Sequence, residues 1–134
     1  MTALTHRRRA VLGTLTRDGV LLTPAGNIVC KCWVAVQGRF PGVTIDTFVV
    51  MPDHVHAIVV LARSYDRTIG LSQVVGWMKR RASREIGSLP AVAAPVWHRS
   101  FHDSIIRDRH AFVRVRRYVA ANPARAWAKT ASYL

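Results

Sequence analysis

The chain has 134 residues, half of them apolar, and a formal net charge of +13. That length suits one domain, residues 1–134, with a real core. No run of about 18 apolar residues exists, which argues against a helical membrane span. The start, Met1-Thr2-Ala3-Leu4-Thr5-His6-Arg7-Arg8-Arg9, has no apolar stretch long enough for a secretory leader. A cytoplasmic protein without a membrane partner is expected, with residues 1–9 as a disordered basic N-terminus.

The basic residues, mostly arginine, form an electrostatic footprint for a polyanion. Nucleic acid is the first candidate, because phosphate neutralisation supplies most non-specific affinity. An acidic membrane surface is the second, and a merely soluble basic protein the third. The two cysteines, Cys30 and Cys32, read as core or interface thiols. On a helix their spacing turns the sulfurs about 200° apart, which argues against a shared zinc site.

Val11 to Thr16 and Val20 to Thr23 flank Arg17-Asp18-Gly19, a hairpin signal. Pro24 suits the first turn of a helix and Thr23 its N-cap. Ile28, Val29, Cys32, Trp33, Val36 and Phe40 recur at helical spacing, and the helix is expected to end between Gly38 and Pro41. Val43 to Met51, rich in Val, Ile, Thr and Phe, reads as a strand, and His54 to Leu61 as the next.

Arg63 to Arg67 is a polar connection. Thr68 to Ile86 reads as a second helix, with Ile69, Val74, Trp77, Met78 and Ile86 inward and Lys79, Arg80, Arg81 and Arg84 on its other side. Gly87 to Pro95 is the main loop, and Val96 to Ile106 leads into a third long strand. Asp108 is a good N-cap for a helix from Arg109 to about Ala121. Asn122-Pro123 is expected to stop it, since the residue before proline is pushed out of helical geometry. A short tail helix through Trp127 follows.

The chemistry gathers around Met51-Pro52-Asp53-His54-Val55-His56. Residues i and i+2 of a strand share a face, so His54 and His56 stand side by side with Val55 turned away. Two imidazoles on a rigid strand make a pair of metal ligands, or they merely decorate a sheet surface. On the third helix, Tyr118 and Asn122 are four apart and share a face. They are either a tyrosine at a core edge with a capping Asn, or parts of a site. A tyrosine hydroxyl can attack a phosphodiester when a metal polarises the phosphate and arginines hold it. Asn122 can complete such a site through its amide oxygen, and Mg²⁺ or Mn²⁺ suits two imidazoles and one oxygen.

These blocks resemble the REP-associated tyrosine transposases, a branch of the HUH single-strand nucleases. Met51-Pro52-Asp53-His54-Val55-His56 is similar to the family's Met-Pro-Asn-His-Val-His, with Asp53 in place of the common Asn. Val96 to Asp108 resembles its Trp-Gln-Arg block and Ile-Ile-Arg-Asp strand end, with His98 where Gln is usual and Ser104 where a later His is frequent. Arg117-Tyr118-Val119-Ala120-Ala121-Asn122-Pro123 resembles its Tyr-Ile-x-x-Asn-Pro block, and Gly76 to Arg80 its basic helix. The resemblance covers roughly residues 10 to 127.

The resemblance implies an α+β, ferredoxin-like HUH domain: an antiparallel sheet with helices on one face. His54 and His56 would be metal ligands, Asn122 a third, and the cofactor a divalent ion, Mg²⁺ or Mn²⁺. Tyr118 would be the nucleophile that forms a transient 5′-phosphotyrosine with single-stranded, hairpin-forming DNA. Lys79, Arg80, Arg84, Arg114 and Arg117 are the candidates for phosphate contacts, and Trp77 and Trp97 for base stacking. A non-cleaving DNA- or RNA-binding relic of the same fold is the alternative.

The front of the chain departs from the family. Members open with an apolar strand that lies mid-sheet, between the His-x-His strand and the last strand. Here Thr5-His6-Arg7-Arg8-Arg9 stands instead. Without that strand the sheet has a gap of unpaired backbone. Three readings follow: a mis-called gene start; a substitute, supplied by Val11 to Thr16 or by the partner in a homodimer; or a decayed gene.

Overall fold

Residues 1–62 and 69–132 are described by the computed structural model. Strand β1 spans Thr2–Leu4, and a 3-10 turn follows at His6–Arg8. Strands β2 (Gly13–Thr16) and β3 (Gly19–Leu22) form the expected hairpin, with Thr16 opposite Gly19 and Arg17-Asp18 as the turn. Gly19 sits at φ +133°, a conformation that suits a residue without Cβ. Helix α1 runs Pro24–Arg39, capped by the Thr23 hydroxyl, which accepts from the Gly26 N–H at 3.2 Å. Gly26 lets this helix start press against the hairpin, since a Cβ there would lie 1.9 Å from the Leu12 carbonyl oxygen.

Strands β4 (Val43–Met51) and β5 (His54–Leu61) pair antiparallel across the Pro52-Asp53 corner. Their register shifts at a bulge between Ile45 and Thr47. Alternation then sorts the side chains. Phe48 and Val50 of β4 pair with Ala57 and Val55 of β5, and all four pack in the core with Trp33, Val29 and Val36 of α1. Helix α2 (Leu71–Ile86) adds Val74, Val75, Met78 and Ile86 to that layer. Its expected first turn at Thr68 and the Arg63 to Arg67 connection fall largely in residues 63–68, outside the described residues. The other face of β5 carries His54 and His56, and there helix α3 (Arg109–Ala131) crosses, so the helices flank both faces of the sheet.

Residues 1–9 are not a free arm in this structure. Strand β1 pairs antiparallel with β5, Thr2 opposite His56, Ala3 opposite Val55 and Leu4 opposite His54. Ala3 and Val55 are both fully buried on the core side. The far edge of β1 is taken by the segment from Val96 to His102. The His98 N–H donates to the Leu4 carbonyl at 2.9 Å, and Thr2 and His102 exchange two backbone bonds. Three residues of this chain therefore fill the mid-sheet place that the sequence left open. Val11 to Thr16 does not slide in; its Gly13–Thr16 part is the hairpin. The third long strand expected over Val96 to Ile106 is reduced to isolated bridges, Thr2 with His102 and Thr5 with Trp97. A three-residue partner offers too few groups to build a longer ladder.

The third helix starts where expected, with the Asp108 carboxylate accepting from the Ala111 N–H at 2.7 Å. It does not stop at Asn122-Pro123 but continues to Ala131, 23 residues in all. Pro123 costs one backbone bond. The run from Ala124 to Ala131, with four alanines, favours helix strongly enough to carry it on.

Candidate active site

His54 and His56 lie side by side on β5, ring centroids 4.6 Å apart, with Nε2 facing Nε2 at 3.1 Å. Each ring is held from behind by its other nitrogen. His54 Nδ1 bonds the Asp53 carboxylate at 2.6 Å, and His56 Nδ1 bonds the Thr2 hydroxyl at 2.7 Å. The Thr2 contact follows from register, because opposite residues of an antiparallel pair share a face. The corner that carries Asp53 is itself tied down. Its carbonyl accepts from the Thr5 N–H at 2.9 Å, and the Pro52 carbonyl accepts from the Leu12 N–H at 2.9 Å.

Burial, together with neighbouring His54, the chain's amino terminus and Arg125, pushes the His56 pKa down to about 4. The ring is thus neutral at neutral pH, with a lone pair available. Burial works against the Asp53 carboxylate, but the hydrogen bond from His54 and the charge and hydrogen bond of Arg8 hold its pKa below the usual value. Arg8 Nε donates to the second Asp53 oxygen at 3.1 Å.

Tyr118 stands edge-on to His56, centroids 5.9 Å apart, and is about half exposed. The Arg125 guanidinium lies over the Tyr118 ring, 3.9 Å from its centre. Asn122, one turn beyond Tyr118, is buried at 7% exposure. Among the described residues, no third His, Cys, Asp or Glu joins the histidines. A cation held by the histidine pair would need a further ligand of another kind, for which the Asn122 amide, one turn beyond Tyr118, is the candidate. The donor set fits a small divalent ion, with two neutral imidazoles pre-oriented by anchored Nδ1 atoms.

The basic candidates divide between the two sheet faces. Arg114 and Arg117 join Arg109, His110 and Val113 along an open groove of about 610 Å³ on α3, the helix of Tyr118. Arg80 and Arg84 lie with Trp77, Arg81 and Glu85 on α2, in the layer over the core. Trp77 is partly buried, edge-on to Phe40 at 5.8 Å and covered by Arg81 at 5.3 Å. Two expectations need correction. Trp97 is 8% exposed and packed in the core, so its ring offers no face to a base. The Lys79 ammonium donates to the His98 and Ser100 carbonyls at 2.9 and 2.8 Å, which ties α2 to the segment beside β1 instead of leaving it free for phosphate.

Sequence reasoning missed Thr2, Arg125 and the functional weight of Asp53. Asp53 was legible as the neighbour of His54. Thr2 and Arg125 reach the site only through strand register and the unbroken third helix.

A protein of Haemophilus influenzae, itself uncharacterized, is 26% identical over 140 residues, covering 92% of this chain and 78% of its own length. The structure of a REP-associated tyrosine transposase bound to a REP hairpin is similar with a TM-score of 0.71 at 21% identity. That match takes in 93% of this chain and 65% of the transposase, so the chain spans just under two thirds of that protein. A putative transposase from Deinococcus radiodurans superposes with a TM-score of 0.58 at 16% identity, over 89% of this chain and 85% of its own. These two likenesses establish the shared α+β fold. Residues 5–122, the span from β1's end through the histidine pair and Tyr118 to Asn122, match the family described as "Transposase IS200 like", and the chain belongs to that family.

Proposed function

We propose that the chain is a metal-dependent tyrosine transposase that cuts and joins single-stranded, hairpin-forming DNA through a 5′-phosphotyrosine link. The observation that carries this reading is the convergence of two anchored imidazole Nε2 atoms, 3.1 Å apart, with the half-exposed Tyr118 ring on one sheet face. His54, His56 and Asn122 would hold Mg²⁺ or Mn²⁺, which when bound polarises a phosphodiester toward attack.

Tyr118 Oη is the nucleophile. Its bond to phosphorus forms as the bond from phosphorus to the 3′ oxygen breaks. The 5′ phosphate stays on the tyrosine, the phenol proton passes to solvent, and the 3′ oxygen takes a proton from solvent to leave as a hydroxyl. Joining is the reverse, with a 3′-hydroxyl displacing the tyrosine. Arg125, stacked on the Tyr118 ring, orients it and offers N–H donors to phosphate oxygens. Arg114 and Arg117 hold the strand's phosphates along α3, while Arg80 and Arg84 with Trp77 contact flanking DNA from the other layer. A hairpin substrate is supported by the likeness to a transposase bound to a REP hairpin.

The test is incubation with a single-stranded hairpin oligonucleotide and Mn²⁺. A denaturation-resistant protein–DNA adduct, lost in Tyr118→Phe, is expected. Salt-dependent binding by folded protein with no adduct overturns cleavage and leaves a non-cleaving binder. The absence of any salt-dependent binding overturns the DNA reading altogether.

A further inference from the structure

We propose that Thr2 and Asp53 are positioning residues for the histidine pair, and that the Thr2 hydroxyl exchanges its donor role for an acceptor role when a divalent cation binds. This rests on the metal-site reading above and goes beyond it. It assigns the N-terminal strand a share in cation affinity.

The argument is a count of protons and lone pairs. A neutral imidazole has one N–H and one lone pair. For a neutral His54, the Asp53 carboxylate, which only accepts, puts the proton on Nδ1 across the 2.6 Å contact and leaves a lone pair on Nε2. His56 can then be written in two ways at the same distances. In the first, its proton is on Nε2 and is donated to His54 Nε2 across 3.1 Å, while its Nδ1 accepts from the Thr2 hydroxyl at 2.7 Å. In the second, its proton is on Nδ1 and is donated to the Thr2 oxygen. Both Nε2 atoms, 3.1 Å apart, then carry lone pairs, an arrangement that repels itself unless a cation offsets it. Passing from one to the other moves a proton from Nε2 to Nδ1 of the same ring, through solvent, and releases none.

A hydroxyl serves both forms because it donates and accepts with equal ease. An aliphatic side chain serves neither, and leaves the half-buried His56 Nδ1–H without its partner in the cation-bound form. Asp53 is fixed in the acceptor role by Arg8 on its second oxygen at 3.1 Å. Both orienters therefore depend on the chain's first eight residues, which pair with β5 and its corner.

Mn²⁺ titration followed by electron paramagnetic resonance tests this on the full chain. Thr2→Val keeps strand shape and is expected to weaken Mn²⁺ binding about 10- to 100-fold, the usual effect of losing a ligand's outer partner. Thr2→Ser keeps the hydroxyl and is expected to stay within about threefold of wild type, on the same reasoning. Thermal midpoint and hairpin binding in chelator are expected unchanged in both, which separates orientation from folding. Wild-type affinity in Thr2→Val, or equal weakening in Thr2→Ser, overturns the proposal while leaving the metal site standing. Mn²⁺ binding that survives His54→Ala with His56→Ala overturns the site and this inference together.

Discussion

Arg116 grips Asp46 in a fork: its Nε donates to one carboxylate oxygen at 2.9 Å and a terminal nitrogen to the other. Asp46 is the extra residue at the β4 bulge, and Arg116 lies two positions before Tyr118 on α3. A bulge leaves one residue out of the ladder and re-aims its side chain. Here the re-aimed carboxylate catches the helix that carries the tyrosine, on the face where the histidines stand. Asp46→Asn and Arg116→Ala are expected to let α3 shift and to slow adduct formation about 10- to 100-fold, as small misplacements do. Mn²⁺ affinity should be unchanged. Single-turnover adduct kinetics beside a metal titration checks both halves.

Tyr118→Phe removes only a hydroxyl from a half-exposed ring and keeps its contacts with His56 and Arg125. Stability is expected to stay within about 0.5 kcal/mol of wild type, with covalent adduct abolished. Denaturant unfolding and a denaturing gel read the two outcomes separately.

The arginines of α3 and the lysine of α2 should behave differently toward DNA. Arg114→Ala and Arg117→Ala are each expected to lower the dependence of log affinity on log salt by about 1. Lys79→Met should leave that slope unchanged, because the ammonium is engaged with the His98 and Ser100 carbonyls. Hairpin binding measured over a salt series distinguishes them.

Two glycines of α1 should respond oppositely to alanine. Gly38 has open space around it, so Gly38→Ala is expected to stabilise the protein by about 0.5–1 kcal/mol. At Gly26 the new Cβ meets the Leu12 carbonyl oxygen, and Gly26→Ala is expected to cost about 1–3 kcal/mol by overpacking. Thermal unfolding of the two variants is the check.

The two thiols of α1 should also separate. Burial, with Glu85 nearby, raises the Cys32 pKa to about 11. At pH 8 its thiolate is then only about one part in a thousand, and the thiolate is the reactive form. Iodoacetamide is expected to label Cys30, which is partly exposed, and to leave Cys32 unmodified until the chain is denatured. Mass spectrometry of labelled native and unfolded protein shows this directly.

Much of the architecture was legible because its causes are local. Asp18-Gly19 makes the hairpin, Thr23-Pro24 starts α1, Asp108 caps α3, and the two-residue period of β5 turns His54 and His56 to one side. Each of these depends on residues within one or two turns of chain. The order of the Met-Pro-Asp-His-Val-His and Tyr-x-x-x-Asn-Pro blocks also carries the resemblance to the family that matches residues 5–122.

What tertiary structure decided is what passes between distant segments. Thr2-Ala3-Leu4 has no strand pattern long enough to recognise, and becomes a strand because β5 and the Val96 to His102 segment offer it two edges of unpaired backbone. Pro123 reads as a stop by local rules, yet the alanines beyond it keep α3 whole and bring Arg125 over Tyr118. Trp97 and Lys79 resemble surface groups in sequence, but packing buries the first and carbonyls capture the second. Spacing along the chain determines which side chains share a face. Only register and docking determine what stands opposite that face, because those contacts join residues that sequence separation hides from one another.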